Sequence, residues 1–314
     1  MLQTRLTRLL NIRYPIIQAG MSWASSNAAL PAAVSKAGGL GVIAAGPMYL
    51  DAFRATVREV KAATNGAFAV NIPLYRPQAE LFLGVIEEEG VPVVIASQGG
   101  PKAHLARFHA RGVRWIHVVS TMAHARKAAD AGVDALVVVG AEAGGHPPAN
   151  GVSTLVAVRR AVQEFDLPIV AGGGVADGYG VAALLALGAD AVQLGTRFLA
   201  TREAGVHENY KRAVLETEID ATALVGVRGL PVRMTRNRFA ERVLQADRDE
   251  PDADAYDALF KSSSLKQAAL DGDIDWGKVE LGQSAGLIDD LPGAADVMAR
   301  LVEEYEAAAR RIAG

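Results

Sequence analysis

The sequence contains no cysteine and has few aromatic residues. None of its 314 residues is Cys, and Phe, Trp and Tyr together make up 6%. The absence of cysteine excludes disulfide bridges, thiolate nucleophiles, cysteine-ligated zinc and iron–sulfur clusters. Because 50% of the chain is apolar and so little of it is aromatic, we expect a mainly aliphatic core.

An excess of positive charge and long apolar segments are also missing. The formal net charge is −3, which offers no electrostatic footprint for nucleic acid or an anionic membrane. No uncharged apolar run reaches the roughly 18–20 residues of a transmembrane helix without a glycine or proline, and the N-terminal segment lacks the apolar core of a signal peptide. We therefore expect a soluble, cytoplasmic protein with a small-molecule substrate. Whether the protein forms a homodimer is left open by the sequence.

Eight short apolar runs occur between residues 15 and 195. Each is too short for a helix, and most are continuous rather than alternating. Continuous apolar strands are buried on both faces, as in a parallel sheet. The runs span residues 15–20, 40–46, 68–72, 93–97, 115–119, 135–140, 168–172 and 191–195.

Alanine-rich segments separate these runs and predict helices that end in glycine before the next strand. They include residues 52–63, 78–89, 101–111, 121–131, 154–164 and 180–187. Eight strand–helix units close a (β/α)8 TIM barrel, so the sequence predicts this α/β fold. A doubly wound open sheet is the alternative, and it would have one binding crevice at a switch point.

The strand–helix pattern ends near residue 216. We expect residues 1–216 to form the barrel, residues 217–282 to form a helical insertion or lid after strand 8, and residues 283–314 to provide a C-terminal helix. Met298, Leu301 and Tyr305 have helical spacing, so this helix should pack back on the barrel. A lid over the carboxyl ends of the strands would influence substrate choice.

Glycine-rich turns follow the last two strands, at residues 172–174 and at Gly195. Glycines allow backbone N–H groups to surround an anion, and the loops after strands 7 and 8 are the usual phosphate site of such barrels. The alternative is that they only form tight turns. A dinucleotide fingerprint needs an acidic residue at the end of the next strand, where Gln193 and Gly195 stand instead. A mononucleotide phosphate fits better.

His146 is the histidine that lies in a glycine-rich loop after a strand, residues 142–146. An imidazole both donates and accepts hydrogen bonds near neutral pH, which makes it a candidate catalytic group. The alternative is a residue that caps the turn. Glu142 lies four residues earlier but not on a helix, so no zinc site of the His-Glu-x-x-His type is predicted, and we expect no metal. A Gly-x-Ser-x-Gly elbow for serine catalysis is also missing.

These motifs resemble those of the nitronate monooxygenase (formerly 2-nitropropane dioxygenase) family. That family includes FMN-dependent type II enoyl-acyl carrier protein reductases and related NADH:quinone reductases. The resemblance covers nearly the whole chain. It is carried by residues 14–21, 32–41, 70–72, 142–146, 171–178, 193–198 and 282–288.

The resemblance implies an FMN-dependent oxidoreductase in which His146 is catalytic and faces the substrate side of the flavin. The isoalloxazine ring would be contacted by Gly20, Met21, Asn71, Gly144 and Gly145. The phosphate would be held by Gly173, Gly174, Gly195 and Thr196, with Gln193 nearby.

The resemblance leaves two activities open. The first is oxidation of alkyl nitronates or nitroalkanes with oxygen, and it is the one we favour. The second is NAD(P)H-dependent reduction of an enoyl thioester or a quinone. Val139 stands where nitronate monooxygenases commonly have glutamine, and Pro147 and Pro148 follow His146. The electron donor, the acceptor and the chain length of the substrate are not determined by these residues.

Overall fold

A computed structural model describes residues 3–314, and its centre is a sheet of eight parallel strands. Each strand coincides with one of the eight apolar runs. In chain order they are β1 (Ile16–Gln18), β2 (Gly41–Ala44), β3 (Phe68–Pro73), β4 (Val93–Ser97), β5 (Arg114–Val119), β6 (Ala135–Val139), β7 (Ile169–Gly172) and β8 (Ala191–Leu194).

The sheet closes on itself, which confirms the predicted TIM barrel. Neighbouring strands follow chain order from β2 to β8, and β8 pairs with β1. Leu40, just before β2, completes the ring. Its carbonyl accepts from the N–H of Gln18 at 3.0 Å, and its own N–H donates to the carbonyl of Ile16 at 2.9 Å. The doubly wound open sheet is therefore not the fold of this chain.

Helices surround the barrel, and several begin at a side chain that accepts a hydrogen bond from the first turn. Thr121, Ser153 and Asp177 cap their helices in this way, which satisfies N–H groups that lack partners inside the helix. The helices as far as residue 216 are α1 (Arg5–Leu10), α2 (Ala29–Lys36), α3 (Leu50–Ala63), α4 (Ala79–Glu88), α5 (Lys102–His109), α6 (Met122–Ala131), α7 (Thr154–Glu164), α8 (Gly178–Ala186), α9 (Thr196–Leu199) and α10 (Glu208–Glu216).

Aliphatic side chains fill the interior of the barrel, as the low aromatic content predicts. Ile17, Val93 and Val137 belong to this inner cluster, and Leu6 and Leu10 of α1 pack against its members. The guanidinium of Arg5 also donates to the buried carboxylate of Asp190 at 2.9 Å, just before β8 begins. Helix α1 therefore covers the amino ends of the strands, and ligands have access from the opposite end.

Residues 217–282 are not purely helical, which corrects one expectation. They contain three helices, α11 (Arg238–Asp249), α12 (Ala253–Lys261) and α13 (Leu265–Ala269), but also an antiparallel hairpin of β9 (Thr222–Val225) and β10 (Val232–Thr235). In both strands buried residues alternate with partly exposed ones, the pattern of a half-buried strand. The hairpin and α11 share a small core of their own.

The chain ends in α14 (Ala294–Ala313), as the helical spacing predicts. It packs against α8 and α2. A Cβ on Gly178, the first residue of α8, would lie 2.3 Å from the backbone nitrogen of Tyr305, so a glycine is needed for this contact. Within residues 3–314, no helix is both long and apolar enough to cross a membrane.

Candidate active site

A cavity of about 1100 Å³ opens at the carboxyl ends of the barrel strands. All eleven residues that the sequence singled out contribute to its lining. They are Gly20, Met21 and Asn71 from the first three strand–helix units, and Gly144, Gly145, His146, Gly173, Gly174, Gln193, Gly195 and Thr196 from the last three. The fold thus brings together groups that are up to 176 residues apart in the sequence, and their individual roles stay predictions.

Gly20, Met21 and Asn71 form one wall of the cavity. A Cβ on Gly20 would lie 2.4 Å from the Cβ of Asn71, so the two residues meet only because the first is glycine. The side-chain amide of Asn71 donates to the carbonyl of Ile95 at 3.0 Å. This bond fixes the amide and leaves its oxygen available to a ligand.

Gly173 and Gly174 form a turn after β7, on the wall of the cavity. Both residues have positive φ angles, 114° and 75°, a conformation that favours glycine. Among residues 3–314, neither N–H donates to a backbone or side-chain acceptor. Gly195 lies at the end of the adjacent β8. Free N–H groups converging between two strand ends are suited to an anion.

The Thr196 hydroxyl is partly engaged by the end of the insertion. It accepts a hydrogen bond from the N–H of Gly282 at 3.0 Å and lies in a buried position. Its own hydrogen stays available to a ligand on the cavity side.

The His146 loop is attached to the β9–β10 hairpin. Gly145 and Arg233 exchange two backbone hydrogen bonds, of 3.1 and 2.7 Å, and Gly145 has a φ of 71°. The Nδ1–H of His146 donates to the carbonyl of Pro231 at 3.0 Å. This contact assigns the hydrogen of a neutral ring to Nδ1 and leaves the lone pair of Nε2 for a substrate.

Gly144 and Glu142 have structural tasks that the sequence did not indicate. A Cβ on Gly144 would lie 2.5 Å from the carbonyl carbon of Leu281, so packing of the insertion requires this glycine. The carboxylate of Glu142 accepts from the N–H of Thr154 at 2.9 Å and from its hydroxyl at 2.8 Å. The carboxylate of Glu142 is thus hydrogen-bonded to the first residue of α7.

Glu280 is a cavity residue that the sequence analysis missed. Burial raises the pKa of its carboxyl group, while the charges of His146 and Lys278 act in the opposite direction and lower it. The residue lies in a loop near the end of the insertion, 134 positions after His146. No local pattern predicts that these two residues line the same cavity.

His117 of β5 also lines the cavity wall but is 5% exposed. Burial lowers the pKa of His117, and its Nδ1 has no hydrogen-bond partner within residues 3–314. Over the same residues, no group of three or more His, Asp or Glu side chains is arranged to hold a metal ion.

Comparison with known proteins identifies the family. A family model described as nitronate monooxygenase matches residues 3–304. Among characterised relatives, a nitronate monooxygenase of Pseudomonas aeruginosa is 35% identical, and the alignment covers 96% of this chain and 98% of that protein. The (3aS,4S,5R,7aS)-5-hydroxy-7a-methyl-1-oxo-octahydro-1H-indene-4-carboxyl-CoA dehydrogenase of Mycobacterium tuberculosis is 32% identical, with 96% and 95% covered.

Among solved structures, FabK from Thermotoga maritima superimposes with a TM-score of 0.93 and 37% identity, covering 100% of this chain and 99% of that one. Sequence and structure therefore agree over the whole barrel, the insertion and the terminal helix. The chain belongs to the nitronate monooxygenase family and is an oxidoreductase.

Proposed function

We propose that the cavity binds FMN, because one observation combines the features that this cofactor needs. The free N–H groups of Gly173 and Gly174 lie on the same cavity as Gly20, Met21 and Asn71. The first pair would hold the phosphate, with Gly195, Thr196 and Gln193 beside it. The second set would contact the isoalloxazine ring, which Gly144 and Gly145 would also approach. FMN, when bound, supplies two-electron redox chemistry that no side chain of this protein can provide.

The reaction that we propose is the oxidation of alkyl nitronates or nitroalkanes with oxygen. The Pseudomonas aeruginosa relative with this name supports it. His146 is placed to act on the substrate, since its Nδ1 is bound to Pro231 and its Nε2 has no partner among residues 3–314. The free nitrogen would either bind an anionic nitronate or remove the α-proton of a neutral nitroalkane.

A second candidate is NAD(P)H-dependent reduction of an enoyl thioester or a quinone. The volume of about 1100 Å³ lies at the upper end of the roughly 300–1,000 Å³ found for ligand pockets, so FMN would leave room for a larger partner. Tyr75 and Leu230 line the cavity and are 69% and 53% exposed, which favours an apolar substrate at the entrance. The Mycobacterium tuberculosis relative is named for a CoA thioester.

We further propose that residues 217–282 act as a lid on the barrel of residues 1–216, with residues 283–314 returning along its outside. The contacts of Arg233 and Pro231 with the loop of Gly145 and His146 support this role. Such a lid would exclude water and select substrates.

Anaerobic flavin reduction tests the proposal. The purified protein should be yellow, with about one FMN per chain, and ethylnitronate, nitroethane, NADH and NADPH are then added separately. Bleaching by a nitro compound supports the first activity, and bleaching by NADH or NADPH supports the second. Colourless protein that takes up no added FMN would exclude both.

A further inference from the structure

Glu280 carries a carboxylate to the wall of the cavity, beside the His146 loop. Its Oε2 lies 3.3 Å from the point at which a Cβ on Gly145 would stand. The backbone of Glu280 is fixed, since its carbonyl accepts from the hydroxyl of Tyr210 at 2.8 Å and its N–H donates to Lys278 at 3.1 Å. The surrounding fold therefore fixes the backbone from which the carboxylate extends.

No other side chain satisfies this carboxylate. Within residues 3–314, its oxygens accept no hydrogen bond and form no ion pair. The ammonium of Lys278 lies 3.7 Å from the ring centre of Phe260 instead. The guanidinium of Arg233 donates to the carbonyl of Ala141 at 2.9 Å and to the hydroxyl of Thr222. Of the two groups whose charges act on Glu280, His146 and Lys278, His146 is the one that lines the cavity.

When it is ionised, the carboxylate of Glu280 has opposite effects on the two forms of a nitro substrate. A carboxylate favours the positive charge that His146 acquires when Nε2 takes up a proton. The same carboxylate repels an anionic nitronate, and beside a protonated His146 it cancels the positive charge that would attract one. Together these effects favour transfer of a proton from a neutral substrate over binding of an anionic one.

We propose that Glu280 is a positioning residue that makes His146 the base for a neutral nitroalkane and disfavours the anionic nitronate. In this step the α-C–H bond of the nitroalkane breaks and its proton passes to Nε2 of His146. The electron pair stays on the substrate and forms the C=N bond of the nitronate. The step needs no oxidant, and the inference rests on the proposed nitroalkane or nitronate activity.

Proton exchange measures this step without relying on turnover. The FMN-loaded enzyme is incubated anaerobically with nitroethane in D2O, and loss of the α-hydrogen signal is followed by ¹H NMR. Steady-state kcat/KM is measured in parallel for nitroethane and for freshly prepared ethylnitronate. Glu280→Gln removes the charge, while Glu241→Gln is the control, because Glu241 pairs with Arg236 on the exposed surface of the insertion at 2.9 Å.

We expect Glu280→Gln to slow enzyme-dependent exchange about tenfold, the lower end of the effect of a nearby charge. The ratio of kcat/KM for nitronate to that for nitroalkane should rise by about the same factor, while Glu241→Gln changes neither quantity. Glu280→Asp, which retains the charge, should stay closer to the wild type. FMN content and melting temperature show whether each variant is folded, and Glu280→Ala replaces Glu280→Gln if the latter is not.

Unchanged exchange and an unchanged ratio in a folded, uncharged variant would overturn the role of Glu280 and leave the proposed function intact. If the wild-type enzyme oxidises ethylnitronate but exchanges no α-hydrogen of nitroethane, the assignment of His146 as a base is wrong. If it reacts with neither compound, the proposed oxidase function fails together with this inference.

Discussion

At the scale of single residues, the candidate site depends on one imidazole whose orientation is set from outside the barrel. The carbonyl of Pro231 accepts the Nδ1–H of His146, so the hairpin determines which nitrogen meets the substrate. By contrast, the free N–H groups of the proposed phosphate site belong to Gly173 and Gly174, next to β7. Cofactor binding and proton transfer are therefore separable by mutation.

We predict that His146→Ala retains FMN but loses about 10²–10⁴ in turnover, the usual contribution of a positioned proton-transfer group. The measurement is FMN content, followed by anaerobic flavin reduction with each candidate donor. A smaller loss that appears partly in KM would instead indicate that the histidine only binds a nitronate. Unchanged reduction with every donor would remove His146 from the mechanism.

At the scale of secondary-structure elements, the β9–β10 hairpin joins the insertion to the barrel. Its backbone pairs with Gly145 through Arg233, and the Arg233 guanidinium reaches the carbonyl of Ala141 at 2.9 Å. Arg236 extends from the end of the same hairpin to the exposed carboxylate of Glu241. Arg233 therefore attaches the hairpin to the barrel, whereas the guanidinium of Arg236 makes a contact on the exposed surface.

We predict that Arg233→Ala loosens the hairpin and raises KM about tenfold, because hydrogen bonds to charged groups contribute about 1.5–3 kcal/mol. FMN affinity should change little. Steady-state kinetics and amide hydrogen exchange of residues 222–235 measure the effect. Arg236→Ala should resemble the wild type in both, since exposed ion pairs contribute at most about 1 kcal/mol. Equal effects of the two substitutions would refute a special role for Arg233.

At the scale of the whole molecule, Glu280 links stability to pH. Burial raises the pKa of this carboxyl above its ordinary value of 4.5, so the folded protein retains the proton over a range in which the unfolded chain has released it. The free energy of unfolding should therefore fall as the pH rises from 4.5 through the folded-state pKa. Other carboxylates, such as Asp290, have a lowered pKa and act in the opposite direction at lower pH.

Comparison of variants isolates this contribution. Relative to the wild type, Glu280→Gln should gain stability progressively as the pH rises through that window, because its amide does not ionise. Urea unfolding at several pH values above 4.5 measures the difference, with Glu241→Gln as the control that should follow the wild type. A stability difference that is constant with pH would show that ionisation of Glu280 carries no cost in the folded state.

Much of the architecture follows from local sequence. The eight strands were predicted because each is a short continuous apolar run. A strand that is buried on both faces needs apolar residues at consecutive positions, so its own sequence identifies it. Helix α14 was predicted from the spacing of Met298, Leu301 and Tyr305. The location of the cavity-lining glycines could be predicted because strand ends meet at one face of a barrel, while their contacts with FMN come from the family resemblance.

The hairpin of residues 222–235 was not predicted, although its strands alternate between buried and partly exposed residues. Each strand has only four residues, and such short segments are ambiguous until they pair. The hairpin becomes recognisable through its antiparallel register and through the bridge to Gly145. Pairing partners of this kind are a property of the folded chain.

The sequence by itself determined the barrel, its family and the residues around the cavity, since motifs and apolar runs are contiguous in the chain. Only the tertiary structure decided which nitrogen of His146 is free, why Gly144 must be glycine, and that Glu280 lines the same cavity as His146. These features depend on contacts between the strand-end loop and the insertion. The hydrogen bond from His146 to Pro231, for example, joins residues that are 85 positions apart in the sequence. Side chains so distant in sequence leave no periodic signal, because only packing of the insertion on the barrel brings them together.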